Sequence, residues 1–151
     1  MWAHYASSHS GLVIEFREDH LLFSGPSFLK VEYSDEPFTY DASNRTRRDN
    51  VELFAMRKGS DWSYERESRL VIELSHIAPP RETSEGRRYF LPIEPQLITS
   101  VTLGLRVSDD LKAKVGESLE ASHFGHVELF KIIRNIESGA LERARLRSRK
   151  P

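Results

Sequence analysis

Alternating apolar and polar side chains predict a set of short strands along this chain. Leu12, Ile14 and Phe16 recur at every second residue with Glu15 and Arg17 on the other side, which is typical of a strand with one buried face. Residues 29–33 and 126–133 alternate in the same way, and residues 70–74 are mostly apolar. The run at 89–93 contains a proline and fits the edge of a sheet. The predicted strands lie at residues 11–16, 29–33, 70–74, 89–93, 101–105 and 126–133.

Helical spacing is clearest after residue 108. Ser108 is a suitable N-cap, and two aspartates follow it in the first turn, where the helix dipole favours negative charge. The apolar face of this helix is predicted to carry Leu111, Val115 and Leu119. A short helix is predicted over residues 51–57, and a weak one before the C-terminal tail. Loops are predicted at residues 41–50 and 78–86, and Gly104 is expected where two backbone segments approach closely.

The order of these elements predicts an α+β fold with a mixed, mostly antiparallel sheet of about five or six strands and two or three helices. Strands and helices do not alternate regularly, which disfavours a doubly wound sheet. A chain of 151 residues fits one domain. We therefore expect a single α+β domain at residues 1–135, and a basic tail at 136–151 that contains Arg143, Arg145, Arg147, Arg149 and Lys150.

Composition removes several classes of function. The chain has no cysteine, which excludes disulfides, thiolate metal ligands and a thiol nucleophile. No apolar run approaches the roughly 20 residues that cross a bilayer, so no membrane association is expected and the cytoplasm is the default compartment. With 22 basic and 23 acidic residues, the net charge of −1 makes nucleic-acid binding an unfavoured interpretation.

The first group of candidate functional residues lies at the N-terminus and comprises Trp2, His4, Tyr5 and His9. The two histidines are poorly spaced for one metal ion, so no metal is expected. One interpretation packs Trp2 and Tyr5 in the core, with one histidine in a buried hydrogen bond; the other gives a histidine a general acid–base role. Two aromatic residues so near the start also suggest that the chain begins within a fold and lacks an upstream segment.

The second group spans residues 62–69 and combines aromatic and charged side chains. If Glu65, Glu67 and Arg69 approach a strand, their side chains share one face at a period of two. Such a set can be a surface ion-pair ladder of little energetic value. Alternatively, it forms a polar site lined by Trp62 and Tyr64, in which one glutamate fixes a hydroxyl or stabilises positive charge.

Both groups carry a family resemblance. The N-terminal run from Met1 to Ala6 with His9 and Gly11, the run at 31–33, Lys58 with residues 62–69, and the run at 101–104 resemble the bacterial domain of unknown function 2971 family. The resemblance covers most of the chain, to about Ile133. Relatives usually carry a further N-terminal segment, so the chain resembles the C-terminal portion of the family. Ser68 stands where relatives often have an aromatic residue.

A more distant similarity, to ADP-ribosyltransferase-like folds, implies a specific chemistry. There, a glutamate holds the ribose 2′-hydroxyl of NAD and stabilises an oxocarbenium-like transition state. By this similarity Glu67 takes that role, with Glu65 as its helper and Arg69 as its orienting partner. Trp62, Tyr64, Trp2, His4 and Tyr5 line the pocket. The nicotinamide-binding residue of such folds comes from the upstream segment.

Three functions are therefore expected as alternatives. The first is an ADP-ribosyltransferase-like module that takes NAD as substrate, active or inactive in this chain. The second is a non-enzymatic binding or regulatory domain, and the third is a metal-independent nuclease in a defence or toxin system that uses His4, His9 and Arg69. An incomplete sheet would expose an edge, so a homodimer through that edge is also predicted.

Overall fold

The computed structural model describes residue 2, residues 5–37 and residues 54–147. Within them the strands are β1 Leu12–Phe16, β2 Phe28–Lys30, β3 Glu32–Tyr33, β4 Arg57–Lys58, β5 Ser68–Leu70, β6 Arg81–Thr83, β7 Gly86–Arg88, β8 Ile98–Leu103, β9 Glu128–Arg134 and β10 Leu141–Arg147. Helix α1 is Asp109–Glu120, and short 3-10 helices lie at Leu21–Phe23, Ser60–Glu65, Leu74–His76, Pro95–Leu97 and Ser122–Phe124. The predicted α+β class with mostly antiparallel pairing is confirmed.

The chain divides into two compact units. One consists of Met1–Glu18 and Pro92–Pro151, and we call it the sheet unit. The other is Asp19–Leu91, which we call the inserted unit because both of its ends join the sheet unit. The predicted single domain at residues 1–135 stays a prediction.

The sheet unit is built on four strands in the order β1-β8-β9-β10. The β1–β8 and β9–β10 pairs are antiparallel, whereas β8 and β9 are parallel. Parallel neighbours need a crossover connection, and α1 lies in that connection. The core on this side of the sheet contains Val101, Leu103, Leu119, Val127 and Leu129.

Helix α1 begins where the sequence predicts. The Ser108 hydroxyl accepts a hydrogen bond from the Leu111 amide at 3.2 Å, which satisfies one of the free N–H groups of the first turn. Leu119 is buried, and Leu111 and Val115 are half-buried on the same face. The capping residue and the apolar face together confirm the predicted helix.

Gly104 lies where the backbone after β8 touches the loop before β1. A Cβ atom at this position would meet the His9 carbonyl oxygen at 2.1 Å and its carbon at 2.6 Å. The Gly104 amide donates to the Gly11 carbonyl at 2.9 Å, and the Arg106 amide donates to the His9 carbonyl at 2.9 Å. The predicted close backbone approach is confirmed, since only glycine leaves room for these two bonds.

The inserted unit consists of short paired pieces. β2 and β5 are antiparallel, β3 and β4 are parallel, and β6 and β7 form a hairpin. The predicted strand at residues 29–33 is interrupted at Val31, where pairing passes from β5 to β4. Val31 is buried, and its amide donates to the Glu67 carbonyl at 3.0 Å. Phe54 and Ala55 are helical, as predicted for residues 51–57, but Arg57 is already in β4. Residues 51–53 and the loop predicted at 41–50 lie outside the described residues.

Three predicted elements of the chain are wrong. The strand expected at 70–74 is the earlier β5, and its apolar run leads instead into the Leu74–His76 3-10 helix. The edge strand expected at 89–93 has no strand structure, and the loop expected at 78–86 contains β6 of a hairpin. In each case pairing with a neighbour, which local pattern does not reveal, decides the strand.

The weak helix predicted before the C-terminal tail is also wrong, while residues 148–151 of the predicted basic tail lie outside the described residues. Leu141–Arg147 forms β10, which pairs with β9 along its length. Glu137 and Ser138 amides donate to the Asn135 side-chain oxygen at 2.9 and 3.0 Å, which makes the turn between the two strands. Tertiary pairing thus overrides the helix propensity of its leucine, glutamate, arginine and alanine residues.

Among the described residues, no helix combines the length and the apolar character that crossing a membrane requires.

Candidate functional site

The candidate site lies in the inserted unit and begins with a sharp turn. The Ser60–Glu65 3-10 helix ends at Arg66, whose φ of 47° places it in the left-handed region, and β5 starts two residues later. A non-glycine residue in this region costs about 1–2 kcal/mol. This turn, and not the alternation of a strand, brings Glu65 and Glu67 close to the same cation.

Lys58 is that cation, and it arrives from β4. Its Nζ atom donates to Glu65 Oε2 in a very short contact and to Glu67 Oε2 at 3.4 Å. The Glu65 side chain is only 5% exposed and that of Lys58 19%. The Glu65 carboxylate in so dry an environment needs a positive charge beside it, and Lys58 supplies one that it shares with the partly exposed Glu67.

Arg69 holds Glu67 from the other side. Its Nε donates to Glu67 Oε1 at 2.6 Å and its Nη2 to Glu67 Oε2 at 3.0 Å, a bidentate pair that fixes the plane of the carboxylate. Its Nη1 donates to the Ala55 carbonyl in another short contact. The Glu67 amide donates to the Tyr33 hydroxyl at 2.8 Å, so the residue is fixed at both its backbone and its side chain.

These contacts control the ionisation of Glu67. Hydrogen bonds from Arg69 lower the pKa of the Glu67 carboxyl below its ordinary value, burial opposes this shift, and the Lys58 ammonium adds to the lowering. Glu67 is therefore a carboxylate at neutral pH. Its side chain is 28% exposed, so an external hydroxyl can reach it.

Aromatic rings stand beside the charged group. The Lys58 Nζ atom lies 4.8 Å from the centre of the Trp62 ring, and the Trp62 and Tyr64 rings lie 6.2 Å apart. Trp62 is 38% exposed and Tyr64 56%. The structure thus brings together the predicted Trp62, Tyr64, Glu65, Glu67 and Arg69.

The N-terminal candidates belong to the sheet unit. The Trp2 ring stacks on the imidazole of His9 with centroids 5.7 Å apart, and Tyr5 is 62% exposed. The expected packing of Tyr5 in a core is therefore wrong. His4 lies outside the described residues, so its predicted role in the pocket stays a prediction.

His9 itself has an unusual setting. Ser7, Ser8 and His9 all have positive φ, at 48°, 52° and 70°. Among the described residues no partner reaches the buried Nδ1 atom of His9. The left-handed run turns the chain so that the Gly11 amide bonds to the Ala6 carbonyl at 2.9 Å, immediately before β1.

A second charged cluster lies on the sheet unit, on the side opposite α1. Arg143 donates to both carboxylate oxygens of Glu15 at 2.9 Å and to the Ser100 hydroxyl at 2.8 Å. Its guanidinium carbon is 3.7 Å from the centre of the Phe130 ring. Hydrogen bonds from Ser100 and then Arg143 lower the pKa of Glu15. This cluster links β1, β8, β9 and β10.

Sequence reasoning missed Lys58 and Tyr33 as members of the candidate site. Lys58 enters because β3 and β4 pair in parallel, with Tyr33 opposite Lys58. Only the family resemblance, which includes Lys58 and Tyr33, pointed to either residue. In the described residues, no group of three or more histidine, aspartate or glutamate side chains is arranged to hold a metal ion.

The structure is therefore that of an α+β chain with a cluster of ion-paired side chains beside exposed aromatic rings. Residues 1–70 match the model of a family described as a protein of unknown function (DUF2971). The match includes β1 and the candidate site through Arg69, and it supports the family resemblance there. It covers the N-terminal part of this chain, so it does not support the expected resemblance to residue 133 or the assignment to a C-terminal portion. No curated protein and no solved structure matches the chain, and the ADP-ribosyltransferase similarity receives no support from these comparisons.

Proposed function

We propose that the cluster around Glu67 binds the ribose of a nucleotide ligand, with NAD as the first candidate. The observation that carries the proposal is the ionised, partly exposed Glu67 carboxylate held by Arg69 and Lys58. A fixed carboxylate accepts hydrogen bonds from vicinal hydroxyls, which ribose provides. The exposed Trp62 and Tyr64 rings offer faces for a heteroaromatic ring.

In the catalytic form of this proposal the module is ADP-ribosyltransferase-like. The bond between ribose C1′ and the nicotinamide nitrogen breaks, and its electron pair leaves with neutral nicotinamide. Glu67 stabilises the positive charge that develops on the ribose, while water or another acceptor attacks C1′ and loses a proton to solvent. Arg69 positions Glu67, and Glu65 fixes Lys58.

A second candidate function is a non-enzymatic binding or regulatory module. Both oxygens of Glu67 are already bonded, to Arg69 and to Lys58. A carboxylate accepts about four hydrogen bonds and these contacts supply three, so an acceptor position remains for a ligand hydroxyl while the charge of Glu67 is already balanced. In this form the module binds ADP-ribose or NAD without cleaving either. The absence of cysteine supports action in a reducing compartment such as the cytoplasm.

The deciding experiment follows NAD by proton NMR with the wild type and with Glu67→Gln. Saturation transfer to the ribose protons measures binding, and free nicotinamide measures cleavage. Glu82→Gln is the matched control, because Glu82 is an exposed glutamate in a weak ion pair with Arg87 at 3.9 Å.

We expect Glu67→Gln to weaken ribose binding by about tenfold, which is the effect of losing one charge-assisted hydrogen bond, and Glu82→Gln to change nothing. Nicotinamide release by the wild type alone supports the enzyme. Binding without release supports the binding module. Absence of binding by wild type at millimolar NAD and ADP-ribose contradicts both.

A further inference from the structure

We propose that the outer edge of β10 accepts an extended peptide segment in which acidic and apolar residues alternate. β10 is the last strand of its sheet, and no further strand pairs with it in the described part of the chain. Of its described side chains, Ala144 alone is half-buried and the rest are exposed. An edge strand presents unpaired N–H and C=O groups at every second residue, which an extended peptide can pair with.

One face of β10 selects for acidic residues. Arg143 and Arg145 lie at a period of two on the same face, and both approach the Phe130 ring, at 3.7 and 5.5 Å. Arg145 forms an ion pair with Glu128, with 3.1 Å between Nη2 and Oε1, and the Arg145 side chain is 54% exposed. A guanidinium has five N–H donors, so Arg145 can bind a second carboxylate without releasing Glu128.

The other face of the sheet offers a place for apolar side chains. Leu146 is 46% exposed and borders an open groove of about 510 Å³ between β10, β9 and α1. The groove is lined by Asp109, Lys112, Ala113, Gly116, Leu129 and Leu146. A strand added beside β10 points alternate side chains toward this groove and toward the arginines. That alternation is the source of the proposed peptide pattern.

Charge and backbone pairing decide between this occupant and two competitors, a second copy of the chain and a nucleic acid. Antiparallel pairing of two β10 strands about Ala144 places Arg143 of each copy opposite Arg145 of the other, and like charges directly opposite are destabilising. Nucleic acid would meet Glu15 and Glu128 beside the same arginines. Because these glutamates repel a peptide carboxylate as well, the backbone makes the distinction: an extended peptide can pair with the N–H and C=O groups of the β10 edge, whereas a sugar-phosphate chain has no matching ladder of donors and acceptors.

The test uses a fluorescent peptide of alternating glutamate and valine, with a peptide of the same composition in two homogeneous blocks as the control. Nitrogen–proton correlation spectra of the labelled chain locate the binding. We expect saturable shifts of the amides of residues 141–147 and of α1 with the alternating peptide, and at least tenfold weaker binding of the block peptide.

Two variants test the two faces separately. Gly116→Leu fills the groove, and a Cβ at Gly116 meets nothing within 4 Å, so the helix gains propensity and the fold is retained. It should weaken the peptide at least tenfold, while Gly116→Ala changes affinity less than twofold. Arg145→Gln should weaken it about fivefold and reduce the salt dependence, while Arg87→Gln, an exposed strand arginine paired with Glu82, has no effect.

Three outcomes overturn the proposal. The peptide fails to bind the wild type at millimolar concentration, or its shifts fall away from β10 and α1. The same amides shift with protein concentration alone, which assigns the edge to a second copy. An oligoribonucleotide displaces the peptide, and its own binding is unchanged in the Gly116→Leu variant, which assigns the face to nucleic acid.

Discussion

Different interactions stabilise the interior of each of the two units. The sheet unit has a contiguous apolar core under α1, with Leu103 and Val127 fully buried. In the described part of the inserted unit the buried apolar residues are Val31 and Met56. There, polar side chains connect short strands, the Ser60–Glu65 3-10 helix and the segments beside them: Tyr33 to Glu67, Lys58 to Glu65 and Asp35 to Ser60.

The two units also differ in the surroundings and exposure of their ion pairs. Arg143 and Glu15 join strands that an apolar core already holds, and both side chains are more than one-third exposed, so their contribution to stability is small. Lys58 and Glu65 are drier and lie where little apolar area is buried. An ion pair in such a position decides local structure and is a better candidate for function.

The largest predicted effect is a loss of stability in the sheet unit caused by a clash with its backbone. In Gly104→Ala the new Cβ would overlap the His9 carbonyl, so β1 and the segment after β8 must separate. We expect a loss of more than about 3 kcal/mol in the free energy of unfolding, measured by urea titration. Gly116→Ala, where a Cβ has open space, should gain about 0.5–1 kcal/mol. Equal stability of the two variants would contradict the claim that the sheet unit requires glycine at position 104 but not at position 116.

The second predicted effect is a loss of stability in the inserted unit caused by removing one charge. Lys58→Met keeps the length of the side chain but leaves Glu65 and Glu67 without their shared cation. We expect a loss of about 3 kcal/mol in the same titration. Lys114→Met, which removes an exposed partner of Asp110 on α1, should cost less than about 0.5 kcal/mol.

A double variant completes this test. Lys58→Met with Glu65→Gln should recover part of the lost stability, since the buried negative charge is also gone. If Lys58→Met behaves like Lys114→Met, the cluster does not organise the inserted unit.

The smallest predicted effect is a difference between the two units in how their hydrogen exchange responds to acid. Because the pKa of Glu67 is lowered in the folded chain, its stabilisation is fully present above the unfolded value of about 4.3 and is lost as pH falls through the lower folded value. Hydrogen exchange should therefore accelerate in β2 and β5 as pH is taken below that window, after correction for the intrinsic rate.

Glu67→Gln should flatten this acid dependence in β2 and β5. It should leave the amides of β8 and β9 unchanged, since the lowered pKa in that sheet belongs to Glu15. An equal change in both units would show that they do not open separately.

Sequence reasoning succeeded where the cause is local. Ser108 caps α1 through a bond to a residue three positions on. It failed where the cause is distant. β10 is a strand because β9 lies beside it, and its residues alone favour a helix.

The candidate site shows both cases within a few residues. Glu67 and Arg69 pair at a spacing of two, as predicted. Glu65 joins them only because Arg66 adopts a left-handed turn and because Lys58 arrives by parallel pairing. Neither cause can be read from the run of residues 62–69 itself, since both depend on what the rest of the inserted unit does.

The pairing of Phe16 with Ile98 has a consequence for synthesis on the ribosome. β1 emerges first, but its partner β8 follows only after the whole inserted unit, a wait on the order of ten seconds at about 5–20 residues per second. The inserted unit is continuous in the chain and can fold within that interval. The native pairs of β1 with β8 cannot form before then, so the backbone groups of β1 that β8 later satisfies stay open to other partners during this interval.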